Sequence, residues 1–136
     1  MAEPRHERGV VDTSVIIDLG AIDPGRLPAE ILVSAVTMAD LAAWPHATSD
    51  PMERARRQDR LQRMEAMLEP LPVDAAVARA YGRVYVAVAS AGRQARGRRA
   101  FDLLIAATAL AAGLPVYTRN PGDFTGLEGL VEVVLV

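Results

Sequence analysis

The residues of this chain that could carry out chemistry are four aspartates, each of which follows or begins a predicted element. Asp12 ends an early apolar run, and Asp123 lies in a polar turn after the apolar stretch at 115–118. Asp40 and Asp102 stand near the beginnings of two apolar helical segments. In a parallel sheet with right-handed crossovers, the strand ends and the helix beginnings share one edge. The sequence therefore predicts that the four carboxylates can face one place.

Each of these aspartates also has a purely structural interpretation. Asp12 and Asp102 would be N-caps of the helices that follow them. Asp40 has the spacing of a capping box with Thr37, and Asp123 fits a turn. The sequence leaves both interpretations open for each of the four.

Four converging carboxylates need a counter-charge, because like charges within ~4–6 Å drive at least one of them to protonate. A divalent cation supplies that charge. The chain contains no Cys, and its two histidines, His6 and His46, are isolated, so a zinc site is not indicated. An all-oxygen ligand set favours Mg²⁺ or Mn²⁺. Such an ion suits phosphate chemistry, since it activates a water and neutralises charge on the phosphorus.

The composition is that of a globular protein. A length of 136 residues suits one domain spanning 1–136, and 51% hydrophobic with 24% charged residues excludes a disordered chain. The net charge of −2 gives no global sign of nucleic-acid binding, so any basic surface must be local. The polar N-terminus lacks a signal-peptide core, and the longest apolar stretch, 103–116, is too short to span a bilayer. Together with the absence of Cys, this predicts a cytoplasmic protein without a membrane partner.

The elements that must position the acids alternate between apolar strands and helices. The predicted strands are 10–12, 31–34, 115–118 and 130–136. The predicted helices are 13–19, 37–43, 51–69, 74–91 and 101–110. The last helix is apolar on nearly all sides and should be buried. This alternation predicts an α/β fold in which helices cover both faces of a mostly parallel sheet.

Four blocks of the sequence together resemble the PIN-domain ribonucleases and, within these, the VapC-type toxins of bacterial toxin–antitoxin pairs. The blocks are Val11-Asp12-Thr13-Ser14, Thr37-x-x-Asp40-Leu41, Asp102-x-x-Ile105-Ala106-Ala107-x-Ala109 and Thr118-Arg119-Asn120-x-x-Asp123-Phe124. They cover essentially the whole chain in the family's order. The resemblance implies a PIN-like three-layer α/β/α fold with a mostly parallel central sheet.

The resemblance also implies an activity, that of a Mg²⁺- or Mn²⁺-dependent endoribonuclease acting as the toxin of a VapBC-type pair. Asp12 and Asp102 would be the main metal ligands. Asp40, at a position where the family usually has Glu, and Asp123 would complete the catalytic acids. Four further residues would orient waters or acids, namely Thr13, Ser14, Thr118 and Asn120. The implied partners are RNA, a second copy of the chain in a homodimer, and a VapB-type antitoxin whose tail covers the site.

A basic loop that leads into Asp102 is our prediction for the RNA contacts. Its arginines could hold phosphates beside the metal, and a solvated surface loop is the structural alternative. They are Arg93, Arg96, Arg98 and Arg99. The arginines at 54–63 are interpreted instead as a solvated helix face with ion pairs.

Three other functions share parts of this pattern. Phosphoryl-transfer proteins of the haloacid dehalogenase or receiver type also place acids at strand ends, but they rely on a Lys near the phosphate, and this chain has none. A catalytically weak PIN-fold module that binds RNA or a partner without cutting is the main alternative, because Asp40 replaces the usual Glu. A DNA nuclease also stays open, since nothing in the sequence reads a 2′-OH.

Overall fold

The computed structural model of the chain describes residues 6–93 and 97–136, except for the side chain of Arg98. Within these residues the strands are β1 (Arg8–Val11), β2 (Glu30–Leu32), β3 (Val116–Thr118) and β4 (Val133–Leu135). The α-helices are α1 (Thr13–Ile17), α2 (Ala35–Ala43), α3 (Pro51–Met67), α4 (Ala75–Ser90) and α5 (Arg98–Ala112). In the same ranges no helix is both long and apolar enough to cross a membrane.

The strands form one sheet in the order β2-β1-β3-β4, and each neighbouring pair is parallel. β1 pairs with β2 through Gly9 and Ile31, and with β3 through Val10 and Val116. The chain therefore leaves β1 for one side of the sheet and later returns on the other side. Such a reversal opens a crevice at the carboxyl ends of the two central strands, where α/β sheets bind ligands.

Helices cover both faces of this sheet, as the sequence predicts. Successive strand residues point to opposite faces. Val10 and Val116 join a buried cluster with α4 and α5, whereas Val11 and Tyr117 join a second cluster with α1, α2 and α3. The predicted burial of α5 is confirmed, because its residues 105–109 are at most 2% exposed. The predicted three-layer α/β fold is therefore confirmed.

The beginning of α2 differs from the prediction. The helix begins at Ala35, and the hydroxyl of Ser34 caps it by accepting a hydrogen bond from the Val36 N–H at 3.1 Å. Asp40 consequently lies in the second turn, so the capping-box interpretation of Thr37 and Asp40 is wrong. The physical reason is that Ser34, two residues after β2, already satisfies a free N–H in the first turn of the helix.

The beginning of α5 also differs from the prediction. The loop before it ends at Gly97, whose φ of 63° lies in the left-handed region that glycine tolerates best. Arg98 and Arg99 therefore belong to the first turn of α5 rather than to a loop. Asp102 lies in the second turn, so it does not cap this helix.

The last strand is shorter than the predicted 130–136. The backbone N–H groups of Leu130 and Val131 donate instead to the carbonyl of Leu127, in a turn before β4. The apolar side chains of this turn still enter the core, which explains why the sequence pattern looked continuous.

Candidate active site

A cleft of about 380 Å³ lies where the carboxyl ends of β1 and β3 meet. All four predicted acids line it, although they come from four different parts of the chain. Asp12 follows β1, Asp40 projects from α2, Asp102 from α5, and Asp123 from a 3-10 turn over residues 121–124. Three of the predicted supporting residues also line the cleft, namely Thr13, Ser14 and Asn120. The fourth, Thr118, is fully buried against Asp12.

Asp12 both caps a helix and lines the cleft, so the two interpretations of this residue hold together. Its side chain is only 4% exposed. One carboxylate oxygen, Oδ1, accepts from the Ser14 hydroxyl at 2.6 Å and from the Val15 N–H at 3.2 Å, which caps α1. The other oxygen, Oδ2, accepts from the Thr118 hydroxyl at 2.5 Å. The carboxylate is therefore fixed in orientation.

Two hydroxyl groups connect this carboxylate to the backbone that follows β3. The Thr118 Oγ1 accepts from the Asn120 N–H at 3.0 Å, and the Ser14 Oγ accepts from the Arg119 N–H at 3.1 Å. Each hydroxyl thus donates to Asp12 and accepts from the turn. The position of Asp12 is therefore coupled to the segment that carries Asn120.

The charge of Asp12 is disfavoured by its surroundings. Burial raises the pKa of the Asp12 carboxyl, and the hydrogen bonds from Ser14, Thr118 and the Val15 N–H lower it without cancelling the effect of burial. A cation placed beside this carboxylate would favour the ionised form.

The other three acids are half-buried in the cleft wall. Asp40 Oδ2 accepts from the Thr13 hydroxyl at 2.8 Å, which ties α2 to the first residue of α1. Asp102 lies on the second turn of α5. The backbone carbonyl of Asp123 accepts from Arg99 Nη1 at 3.4 Å.

The chemistry of these donors fits a hard divalent cation. The described part of the chain contains no three acidic or histidine side chains that already surround a common point. Mg²⁺ does not require such a cage, because it keeps several waters and binds through one or two carboxylates. Carboxylates and hydroxyls line the cleft, whereas His6 pairs with Glu132 at 3.0 Å and neither histidine reaches the lining. The donor set therefore fits Mg²⁺ or Mn²⁺ rather than zinc.

Two of the four arginines predicted to contact RNA can be located. Arg93 Nη2 lies 3.4 Å from the carbonyl of Gly122, and Arg99 binds the next carbonyl in the same 3-10 turn. Both side chains thus contact the turn that carries Asp123, although neither lines the cleft. Arg96 and the side chain of Arg98 lie outside the described part of the structure.

Four residues that sequence reasoning missed also line the cleft, namely Ile17, Asp18, Phe101 and Arg119. Arg119 Nε lies 3.6 Å from Asp18 Oδ2 in an ion pair. The spacing of Asp18 from Ser14, four residues within a helical turn, could have indicated a shared face. For Phe101 and Arg119 the only signal in the sequence was that each stands next to a predicted site residue, Asp102 and Asn120 respectively.

Comparison with known proteins gives consistent matches. The sequence model of the PIN-domain family matches residues 9–127. The chain is 35% identical over 131 residues to Ribonuclease VapC5 of Mycobacterium tuberculosis, covering 94% of this chain and 93% of that protein.

Solved structures match over similar lengths. A crystal structure of a member of the VapBC family of toxin–antitoxin systems, VapBC-5 from M. tuberculosis, superposes with a TM-score of 0.83 at 37% identity, covering 96% of this chain and 99% of that chain. VapBC2 from Rickettsia felis, bound to a DNA fragment from its promoter, has a TM-score of 0.74 at 18% identity, covering 95% and 98%. The second match supports the fold alone.

Proposed function

This chain belongs to the PIN-domain family, and we propose that it is a metal-dependent endoribonuclease, the toxin of a VapBC-type toxin–antitoxin pair. The observation that carries the proposal is that four carboxylates line one cleft at the reversal point of the sheet. The similarity to Ribonuclease VapC5 over most of both chains supports RNA as the substrate.

In this proposal Asp12 and Asp102 are the ligands of Mg²⁺ or Mn²⁺. When bound, such an ion supplies a water of lowered pKa and a positive charge beside the phosphate. Ser14 and Thr118 donate to both oxygens of Asp12 and so hold it ready to ligate through its ionised form. Thr13 orients Asp40 in the same way.

The remaining acids serve the proton balance of hydrolysis. A water that attacks phosphorus forms a new P–O bond and loses a proton, while the P–O bond to the leaving sugar oxygen breaks and that oxygen gains a proton. A carboxylate within hydrogen-bond reach can take the first proton, and solvent water can supply the second. Asp40 and Asp123 line the cleft with the proposed ligands and are the residues we assign to this role. Asn120, whose backbone binds Thr118, would orient a water or one of the acids.

The substrate and the partners follow from the same proposal. Arg93 and Arg99 contact the turn that carries Asp123, and together with Arg96 and Arg98 they would hold RNA phosphates at the edge of the cleft. The matched solved structures are of toxin–antitoxin complexes, which supports a VapB-type antitoxin as the partner. We also propose a single PIN domain over 1–136, a homodimer and a cytoplasmic location.

The test is cleavage of a mixed RNA pool, with a DNA pool beside it, by purified protein without antitoxin. Each pool is incubated with Mg²⁺, Mn²⁺ or EDTA. We expect metal-dependent cutting of RNA that is lost in Asp12→Asn and Asp102→Asn. The matched control is Asp50→Asn, because Asp50 also caps a helix but is exposed and lies outside the cleft lining. Cutting of DNA in preference to RNA would contradict the assigned substrate.

The second candidate is a PIN-fold module that binds RNA or a partner without cutting. The observation that favours it is Asp40, whose side chain is shorter than Glu by one C–C bond, about 1.5 Å. Asp40→Glu separates the two functions. A rise in rate would show that the shorter acid limits an active enzyme. Absence of cutting by the folded protein and by this variant, at any metal concentration, would leave the binding module.

A further inference from the structure

Phe101 is an exposed aromatic side chain in the wall of the acidic cleft. It is 48% exposed, whereas the other phenylalanine of the chain, Phe124, is 1% exposed. It lies in the first turn of α5, directly before Asp102, and it lines the cleft together with that acid. Because the core already contains the next turns of α5, packing does not explain why an aromatic residue stands here.

The surroundings of this ring restrict what could cover it. Carboxylates, hydroxyls, an amide and one guanidinium line the rest of the cleft, apart from Ile17. A ligand that fits must therefore combine a flat π face with polar groups. A nucleobase has both, and stacking on an aromatic side chain changes affinity by roughly 5- to 150-fold per base. Only an unpaired base presents its face to a protein in this way.

A positive charge lies in the same lining. Arg119 is the basic side chain found among the described residues of the cleft wall, and it is 35% exposed. Its ion pair with Asp18 is long at 3.6 Å, and Asp18 is itself half-exposed, so the pair is weak and screened by solvent. The guanidinium can therefore exchange Asp18 for a phosphate of a strand whose base lies on Phe101.

We propose that Phe101 is a stacking platform for an unpaired base of the substrate, next to the catalytic acids, with Arg119 binding a phosphate of the same strand. This inference rests on the proposed ribonuclease function. It assigns to the cleft a single-stranded segment or a loop as its substrate, and it assigns the recognition of one base to a residue that carries no charge.

The experiment compares Phe101→Ala, Phe101→Leu and Phe101→Trp with the unmodified protein. The affinity for short single-stranded RNA oligomers is measured by fluorescence anisotropy in EDTA, and KM and kcat are measured with Mg²⁺. We expect roughly 5- to 150-fold weaker binding and a raised KM for the Ala and Leu variants, with kcat little changed. The Trp variant should keep its affinity, and its added indole fluorescence should be quenched when RNA binds.

A base scan makes the test specific to stacking. Single abasic nucleotides are placed at each position of the oligomer, and affinity is measured for the unmodified protein and for Phe101→Ala. At one position, the loss of the base should lower the affinity of the unmodified protein to the level that Phe101→Ala shows for the intact oligomer. Removal of that base should lower the affinity of Phe101→Ala little further, because the two changes delete the same contact.

Arg119 is tested through the salt dependence of binding. Arg119→Ala should make the dependence of log affinity on log salt concentration shallower by about 0.7, the value expected for one phosphate of a single strand. Phe101→Ala should leave this slope unchanged.

Several outcomes would overturn the inference. Full affinity of Phe101→Leu for RNA would show that the side chain acts only by its apolar packing and not by stacking. Unchanged RNA binding with an altered sedimentation coefficient would show that a second copy of the chain covers Phe101. Unmodified protein that cuts RNA while Phe101→Ala and Phe101→Leu behave normally would remove the stacking role and leave the nuclease. Unmodified protein that neither binds nor cuts would remove both proposals.

Discussion

At Asp12 one carboxylate caps α1 and lines the acidic cleft, so its ionisation bears on both folding and the proposed catalytic role. Burial raises its pKa, and the neutral hydroxyls that bind it only partly compensate. A folded-state pKa above the unfolded value means that the folded state binds the proton more tightly. The contribution of this group to stability is therefore fully present below the unfolded pKa and is lost as the pH rises through the folded pKa.

Replacing Asp12 by Asn should stabilise the protein at neutral pH in the absence of divalent metal. Asn is an equally good helix cap and carries no charge that burial disfavours. The melting temperature should rise by about 2–6 °C for each kcal/mol regained, and the difference from the unmodified protein should vanish as the pH approaches 3. Thermal melts followed by circular dichroism between pH 3 and pH 7.5 measure this.

The control for this melt series is again Asp50→Asn, because Asp50 caps a helix from an exposed position outside the cleft lining. Addition of Mg²⁺ or Mn²⁺ should raise the melting temperature of the unmodified protein more than that of Asp12→Asn, because the variant keeps Asp102 but loses the charge of Asp12, one of the two proposed ligands. A neutral-pH melting temperature of Asp12→Asn below that of the unmodified protein would contradict the assigned role of burial.

Thr118 joins the ends of β1 and β3 through its hydroxyl. Thr118→Val keeps the shape but leaves the Asp12 Oδ2 and the Asn120 N–H without this partner, so it should lower the free energy of unfolding by about 1–3 kcal/mol. Thr118→Ser retains the hydroxyl and should lower the free energy of unfolding by a smaller amount. Urea denaturation at pH 7 distinguishes them, and equal losses in the two variants would mean that the methyl group rather than the hydroxyl matters.

At the scale of the elements, β1 runs close against its neighbours at Gly9. A Cβ atom there would stand 2.6 Å from Cε1 of the buried Tyr117 and 3.2 Å from Pro28 Cγ. Gly9→Ala should therefore lower the free energy of unfolding by about 1–3 kcal/mol through overpacking.

The matched control is Gly82, in the interior of α4, where a Cβ atom meets nothing within 4 Å. Gly82→Ala should raise the free energy of unfolding by about 0.8–1 kcal/mol, because alanine loses less backbone entropy in a helix. Chemical denaturation measures both variants. Opposite signs are expected, and a stabilising Gly9→Ala would show that Tyr117 can move aside.

The sequence was sufficient to predict the strands and helices that apolar runs define, and to predict that the acids that follow them share one edge of the sheet. Parallel topology alone brings Asp12 and Asp123 to one edge, so their convergence could be predicted. The first residue of α2 could not be predicted, because Thr37 and Asp40 have the spacing of a capping box. Only the structure shows that Ser34 caps this helix. The cleft positions of Phe101 and Arg119 depend on packing between distant segments, which no local pattern records.

At the scale of the whole molecule, two buried clusters lie on opposite faces of a narrow sheet. Leu41 belongs to the cluster formed with α1, α2 and α3, and Leu103 to the cluster formed with α4 and α5. The strands are only three or four residues long, so neither layer has a sheet of its own. We therefore expect a single cooperative unit.

Leu41→Ala and Leu103→Ala should each lower the free energy of unfolding by about 2–5 kcal/mol in one common transition. Trp44, the single tryptophan, lies against the cluster of Leu41 and reports on that face. The Leu103 variant should shift the Trp44 fluorescence transition and the circular dichroism transition together in urea. A fluorescence transition unmoved by Leu103→Ala would show that the two layers unfold separately and would contradict the proposed single domain.

The contact between Thr118 and Asp12 spans 106 positions of the chain, and it sets an order of events during synthesis. At about 5–20 residues per second, a ribosome makes Thr118 roughly 5–20 s after Asp12. Throughout that interval β1 lacks β3 beside it, and the nascent chain comes to hold three of the four proposed catalytic acids, Asp12, Asp40 and Asp102, without the turn that carries Asn120 and Asp123. The cleft can therefore form only after the chain has been made through Asp123, so a nascent toxin shorter than this would be unable to attack RNA beside the ribosome that is making it.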